Sequence, residues 1–280
     1  MYELFLTALV EDSDFGAACA VLGGLCGMSP WESVHRVLYF QGPPRPVGIS
    51  NQSSIDKPIR KDVGFLWKDL HQNLSRQSFV LQLRYEVLKD RDMGPNAIAT
   101  DLDATPGMLR WTDFPDPPHG RPILTQRKKV ELWEQKKLPS VLRDNLYQFK
   151  TETIEEVYRF FREEVEFCLV RHYFLKPLDH YVPLEMRGQQ ASASPSLPAW
   201  ESLTPIDMQK RWFLLVKANV LQDNKPDEIR KVQDQLLAIR NELDGVFEFK
   251  TIDRKVHDTR VAQQQQGIQA LPQKVMLGKN

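Results

Sequence analysis

Residues 78–87 read SFVLQLRYEV, and Phe79, Leu81, Leu83, Tyr85 and Val87 alternate without a miss. Successive side chains of a strand point to opposite faces, so a period of two commits this segment to a half-buried β-strand. The period recurs elsewhere. Trp212, Leu214, Val216, Ala218 and Val220 share one side of a second run, and YELFLTALV at 2–10 is crowded with large apolar residues that favour strands. In REEVEFCLVRHYF, residues 162–174, the odd positions Val165, Phe167, Leu169, Arg171 and Tyr173 form the greasier side. The even positions Glu164, Glu166, Cys168 and His172 are either a wet face or a site.

Further strands are expected in ESVHRVLYFQ, MLRWTDF, ILTQRKKVELWEQ, YQFKT and, last, GVFEFKTIDRKV at 245–256. TIEEVYRFF also fits a helix face through Ile154, Val157, Tyr158 and Phe161, but its place between strand-like runs favours a hairpin turning at REE. A helix over 14–28 would bury Phe15, Ala18, Cys19, Leu22, Leu25 and Cys26, and another near 62–74 would use Phe65, Leu66, Leu70 and Leu74. LPSVLRDN reads as a short helical or turn segment between strands. The helix at 226–243 has Ile229, Val232, Leu236, Ile239 and Leu243 as its stripe, Pro226 in its first turn, Asn224 or Asp227 as cap, and Gly245 as its stop. Nine or ten strands in long succession, without βαβ alternation, predict a mainly β (α+β) fold: a large antiparallel sheet closed into a barrel. The helices at 14–28 and 226–243 would cover its openings or outer face. We read residues 1–280 as a single domain with flexible loops at 43–58, 90–105 and 187–203 and a mobile tail from about 263, where Pro, Ser, Gly and Gln concentrate.

Thirty-seven Lys and Arg balance thirty-seven Asp and Glu, which removes the basic excess that sequence-independent nucleic-acid binding requires. Cys19, Cys26 and Cys168 are too few and too scattered for a disulfide framework or a zinc site. Nowhere do ~18 apolar residues follow one another, so no membrane span is expected, and the protein reads as soluble and intracellular.

Several stretches taken together, MYELFLTALV, LGGLCGMSPWESVHRVLYFQGP, RWTDFPDPP, YQFKTETIEEVYRFFREEVEFCLVRHYFL and GVFEFKTIDRKVHDTRV, resemble the family of the eighteenth subunit of the eukaryotic Mediator complex in its fungal forms. The resemblance implies a barrel of the tunnel-phosphohydrolase type and a nuclear, non-enzymatic role in the Mediator head module. It implies three sets of partners: Mediator subunit 20, a C-terminal segment of subunit 8, and the remaining head subunits with the RNA polymerase II machinery.

Phosphohydrolases of that barrel bind metal triphosphate through E-x-E glutamates on facing strands, with inward Lys and Arg holding phosphate. The corresponding first-strand positions here read Glu3, Phe5 and Thr7, and the last strand offers Glu248 with Lys250 in place of a carboxylate pair. No catalytic, cofactor or metal residue is therefore assigned, and no partner-binding residue can be. Cys168 and His172 lie about 13 Å apart along a strand at ~3.3 Å per residue, too far to share a metal. Glu164 and Glu166 are expected to pair with Arg across a hairpin, and His35, His119, His180 and His257 to be surface or core imidazoles. The basic run Arg127–Lys129 is expected on a solvated strand face. The alternative function is a metal-dependent tri- or polyphosphate phosphohydrolase. A lumen dense in acids and bases would favour that enzyme, and a plugged apolar lumen the scaffold.

Overall fold

The computed structural model describes residues 1–50, 61–118, 120, 123–175, 193–221 and 225–262. The loop residues 51–58 and 187–192, the tail from 263, Asn224, His119 and His180 lie outside them.

Nine strands are described: β1 (Tyr2–Val10), β2 (Trp31–Gln41), β3 (Val80–Glu86), β4 (Gly107–Thr112), β5 (Thr125–Gln135), β6 (Gln148–Arg162), β7 (Val165–Phe174), β8 (Thr204–Pro205) and β9 (Trp212–Val220). Eight of them close a ring in the order β6-β2-β3-β4-β5-β1-β9-β7 and back to β6, every pair antiparallel, with the two-residue β8 attached beside β7. Closure pairs every central strand on both sides and so removes exposed sheet edges. The ambiguous 153–161 segment lies within β6, and the β6–β7 hairpin turns at Glu163, whose φ is 55°.

Alternation sorts the barrel's two faces. Leu4, Leu6, Ala8 and Val10 of β1, Trp212, Leu214, Val216, Ala218 and Val220 of β9 and Phe160 of β6 point outward. There they meet α1 (Phe15–Cys26) through Ala18 and Leu22, and α5 (Pro226–Glu242) through Val232, Leu236 and Ile239. On the opposite flank Leu81, Leu83, Leu109, Trp111, Val130 and Leu132 pack beneath α2 (Lys61–Leu74) and α4 (Leu138–Asp144). A one-turn helix, α3 (Lys89–Asp92), follows β3. The barrel's apolar face is thus its outside, and amphipathic helices clothe it.

Three expectations are corrected. In α2 the buried anchors are Trp67, Leu70 and Leu74, whereas Phe65 is 69% exposed, about one helical step off the packed stripe. The α5 N-cap position is Lys225 with no side-chain cap, and Asp227 sits inside the first turn. Finally, 245–256 is not a strand. The ring is complete without it, so residues 247–261 cross one mouth of the barrel as a strap, with isolated bridges from Phe249 to Ala8, where β1 outruns β5, and from Arg260 to Phe79.

Candidate functional site

The inward face carries the candidate site. Tyr39, Arg84, Arg110, Arg127, Glu155, Cys168, His172 and Lys217 surround a cavity of about 340 Å³, with Val256, His257 and Thr259 of the strap at one end. This lumen is polar, contrary to the apolar plug expected of a scaffold. By inventory alone it resembles an enzyme's interior, so the pairing of its charges decides what it can do.

Glu3, 1% exposed, meets Arg110 at 3.2 Å, Arg127 at 2.8 Å and Lys129 at 3.2 Å. Burial would raise its pKa, but Arg110, Lys129 and Arg127 override that and hold the carboxyl well below its usual range. Arg110 and Lys129 also lie 3.5 Å from Glu131. The Arg127–Lys129 run is thus corrected: in β5 its two outer members turn inward, because residues two apart share a face.

Phe5, which the family resemblance sets where the enzymes would carry a metal-binding glutamate, is 2% exposed. Arg127 lies over its ring at 5.0 Å and His257 meets it edge-on at 5.4 Å. Thr7 donates its hydroxyl to the Lys250 carbonyl. Glu248 and Lys250 pair with each other at 3.0 Å on the exposed strap, outside the lumen.

The hairpin set divides. Glu164 sits at the turn beside α5, in a groove with Glu163, Glu228 and Lys231. Glu166 faces the lumen, one oxygen 3.1 Å from Arg159 across the hairpin and the other 3.2 Å from Lys217 of β9. Cys168 donates to Glu166 at 3.1 Å, and burial first of all pushes its thiol up to about 12, which disfavours the nucleophilic thiolate. His172 shares the lumen with Cys168 but turns to Glu155, 3.9 Å away. Glu155 also hydrogen-bonds Arg84 and lies 3.9 Å from His35. Burial and Arg84 together lower His35 to about 4, leaving it neutral near pH 7.

The lumen-face carboxylates Glu3, Glu131, Glu155 and Glu166 therefore each have at least one cationic partner, while Glu86 shares their face, exposed at the end of β3 opposite His35. Six cations, Arg84, Arg110, Arg127, Lys129, Arg159 and Lys217, face those four acids. Among the described residues no group of three or more His, Cys, Asp or Glu is placed to hold a metal ion. Sequence reasoning missed Glu3 as a hub and Arg84–Glu155 as a pair, because the partners lie 124 and 71 residues apart and only barrel closure brings them together.

A closed eight-stranded antiparallel barrel, helix-clad outside and lined inside by ion-paired acids with cations in excess, places the chain among tunnel barrels with a cross-braced lumen. A family model described as Med18 protein matches residues 2–260. The chain belongs to the Med18 family, the Mediator subunit family that its motifs resemble. A chain of the Schizosaccharomyces pombe Mediator head module shares the fold at TM-score 0.60 and 14% identity, covering 90% of this chain and 99% of that one. The PH1819 protein of Pyrococcus horikoshii is similar at TM-score 0.42 and 13% identity over 90% and 94% of the two chains. A putative adenylyl cyclase of Hippeastrum, described as having a dominant triphosphatase activity, is similar at 0.40 and 8% over 91% and 93%. No curated protein sequence matches the chain.

Proposed function

We propose that the protein is a non-enzymatic subunit of the Mediator head module, a nuclear scaffold that docks partner subunits and helps pass regulatory signals to RNA polymerase II and its initiation machinery. The observation that carries this reading is the lumen of a Med18-family chain whose carboxylates Glu3, Glu131, Glu155 and Glu166 are spent on bracing the barrel, and the resemblance sets the buried Phe5 where a metal ligand would be needed. A divalent cation needs several oxygens at once. Here each such carboxylate would first have to be released from an Arg or Lys.

Its partners would be Mediator subunit 20 as a heterodimer, the C-terminal segment of subunit 8, and other head subunits, with no direct contact to nucleic acid. With formal net charge zero, association rests on buried apolar area more than on charge steering, over an interface of about 1,600 Å² or more. Co-expression with subunit 20 tests this: the pair co-purifies and stays soluble where the single chain aggregates. Equal solubility without co-purification would contradict it. Phosphate release from triphosphate with manganese, tracking the purified protein and abolished by Glu166→Gln, would establish the phosphohydrolase instead.

A further inference from the structure

The two mouths of the barrel differ. At one, the strap lies across the strand ends and inserts His257 against Phe5. At the other, strand parity brings three large apolar side chains to the inward-facing positions of the rim. Trp31 is opposite Arg159 in the β2–β6 ladder, and Phe161 is opposite Glu166 in the β6–β7 ladder, so both continue the lumen face outward. Trp133 lies two residues beyond Glu131 on β5. All are open to solvent: Trp31 65%, Phe161 39% and Trp133 62%. Two exposed tryptophans on one rim are not explained by burial in this chain, and tryptophan dominates interface hot spots.

The layer beneath the rim is cationic on balance. Arg159 and Lys217 share the single carboxylate Glu166, and Arg110 and Lys129 share Glu131 with Glu3 behind it. Outside the rim towards α5 the sign reverses at Glu163, Glu164 and Glu228, relieved by Lys231. An apolar ring above a positive floor complements apolar side chains that carry a carboxylate at their tip.

We propose that this mouth docks a partner protein's segment that alternates apolar and acidic residues, its apolar side chains on Trp31, Trp133 and Phe161 and one carboxylate reaching the layer of Arg159 and Lys217. The test uses the full chain and a fluorescein-labelled short peptide alternating leucine and aspartate, with two controls: lysine for aspartate, and serine for leucine. Anisotropy should register saturable binding of the first peptide only, weakened by added salt. It should fall about tenfold or more with Trp31→Ser or Trp133→Ser, the loss expected for a hot-spot aromatic. Both residues are exposed, so thermal unfolding should stay unchanged and fold loss cannot imitate the effect. Equal binding of the lysine peptide would move the contact to the acidic groove beside α5 and overturn the proposal. So would indifference to both substitutions, or sedimentation as a dimer that the same substitutions dissociate, since a second copy would then be the occupant.

Discussion

Glu3 holds three cations at once in a site closed to water, and its contribution differs from that of a surface pair. Removing one partner of a buried ion pair leaves uncompensated charge and costs about 3–5 kcal/mol, whereas replacing a whole pair by apolar groups is often neutral. Glu3→Gln should therefore lower stability by several kcal/mol, read by urea unfolding followed through tryptophan fluorescence; a loss within ~0.5 kcal/mol would mean water screens the cluster. Acid should act through His35. Its pKa is about 4 in the fold, set by burial and Arg84, against an ordinary 6.5. Between those values the unfolded chain takes up a proton that the native one refuses, so stability falls as pH drops from 6.5 towards 4. At about 1.4 kcal/mol per unit the loss reaches roughly 3 kcal/mol by pH 4. Glu155 adds to this at lower pH: burial would raise it, but Arg84 and His172 hold it far below 4.5, so its share is present above 4.5 and lost beneath. The thermal midpoint of His35→Gln should decline less than that of wild type from pH 7 to 4.5; parallel declines would clear His35 of the role.

At the scale of elements, the strap answers to the stretch where β1 outruns β5. Lys250 N–H donates to the Thr7 carbonyl, Val80 N–H to Thr259, Thr259 Oγ to the Thr112 carbonyl and Val261 N–H to Ser78, while Arg254 and Arg260 lie over Phe114 at 4.3 and 3.9 Å. Ending the chain at Glu248 removes these bonds yet keeps Phe247 in the core. At ~0.5–1.5 kcal/mol per bond, offset by the chain entropy regained, the net loss should be about 2–4 kcal/mol. The Cys168 thiol should also alkylate faster in a Cys19→Ser, Cys26→Ser background; an unchanged rate would mean that the strap does not gate the lumen. The strap was illegible in the sequence for a physical reason. Phe247 and Phe249 alternate as a strand would, but a ring already closed by eight partners offers them only the bridge at Ala8. By contrast β3, β9 and the β6–β7 hairpin follow directly from period-two patterning, because each has one face sealed under a helix or neighbouring segment. β6 imitates a helix because both its faces pack: Ile154, Tyr158 and Phe160 turn outward, and Val157 turns inward to the lumen.

For the whole molecule, closing the ring sets the order in which order can be gained. β1 must find β9 across more than two hundred residues, Tyr2 opposite Val220, and β2 must find β6 across about half that span, Val34 opposite Glu156. Each pairing costs loop-closure entropy before it yields contacts, and the lumen's ion pairs cannot form until the walls that exclude water stand. Only β6–β7 is a tight hairpin that can form early. A chain so dominated by distant pairings should refold slowly, on the order of a second or longer, through collapsed intermediates with unpaired strand edges. Stopped-flow tryptophan fluorescence after dilution from urea should therefore resolve a burst phase and a slow main phase, with recovered yield falling as protein concentration rises. Supplying the barrel's partner during refolding should raise that yield without speeding the main phase, because docking follows closure. A single submillisecond phase, independent of concentration, would mean that long-range closure is not the step that limits this fold.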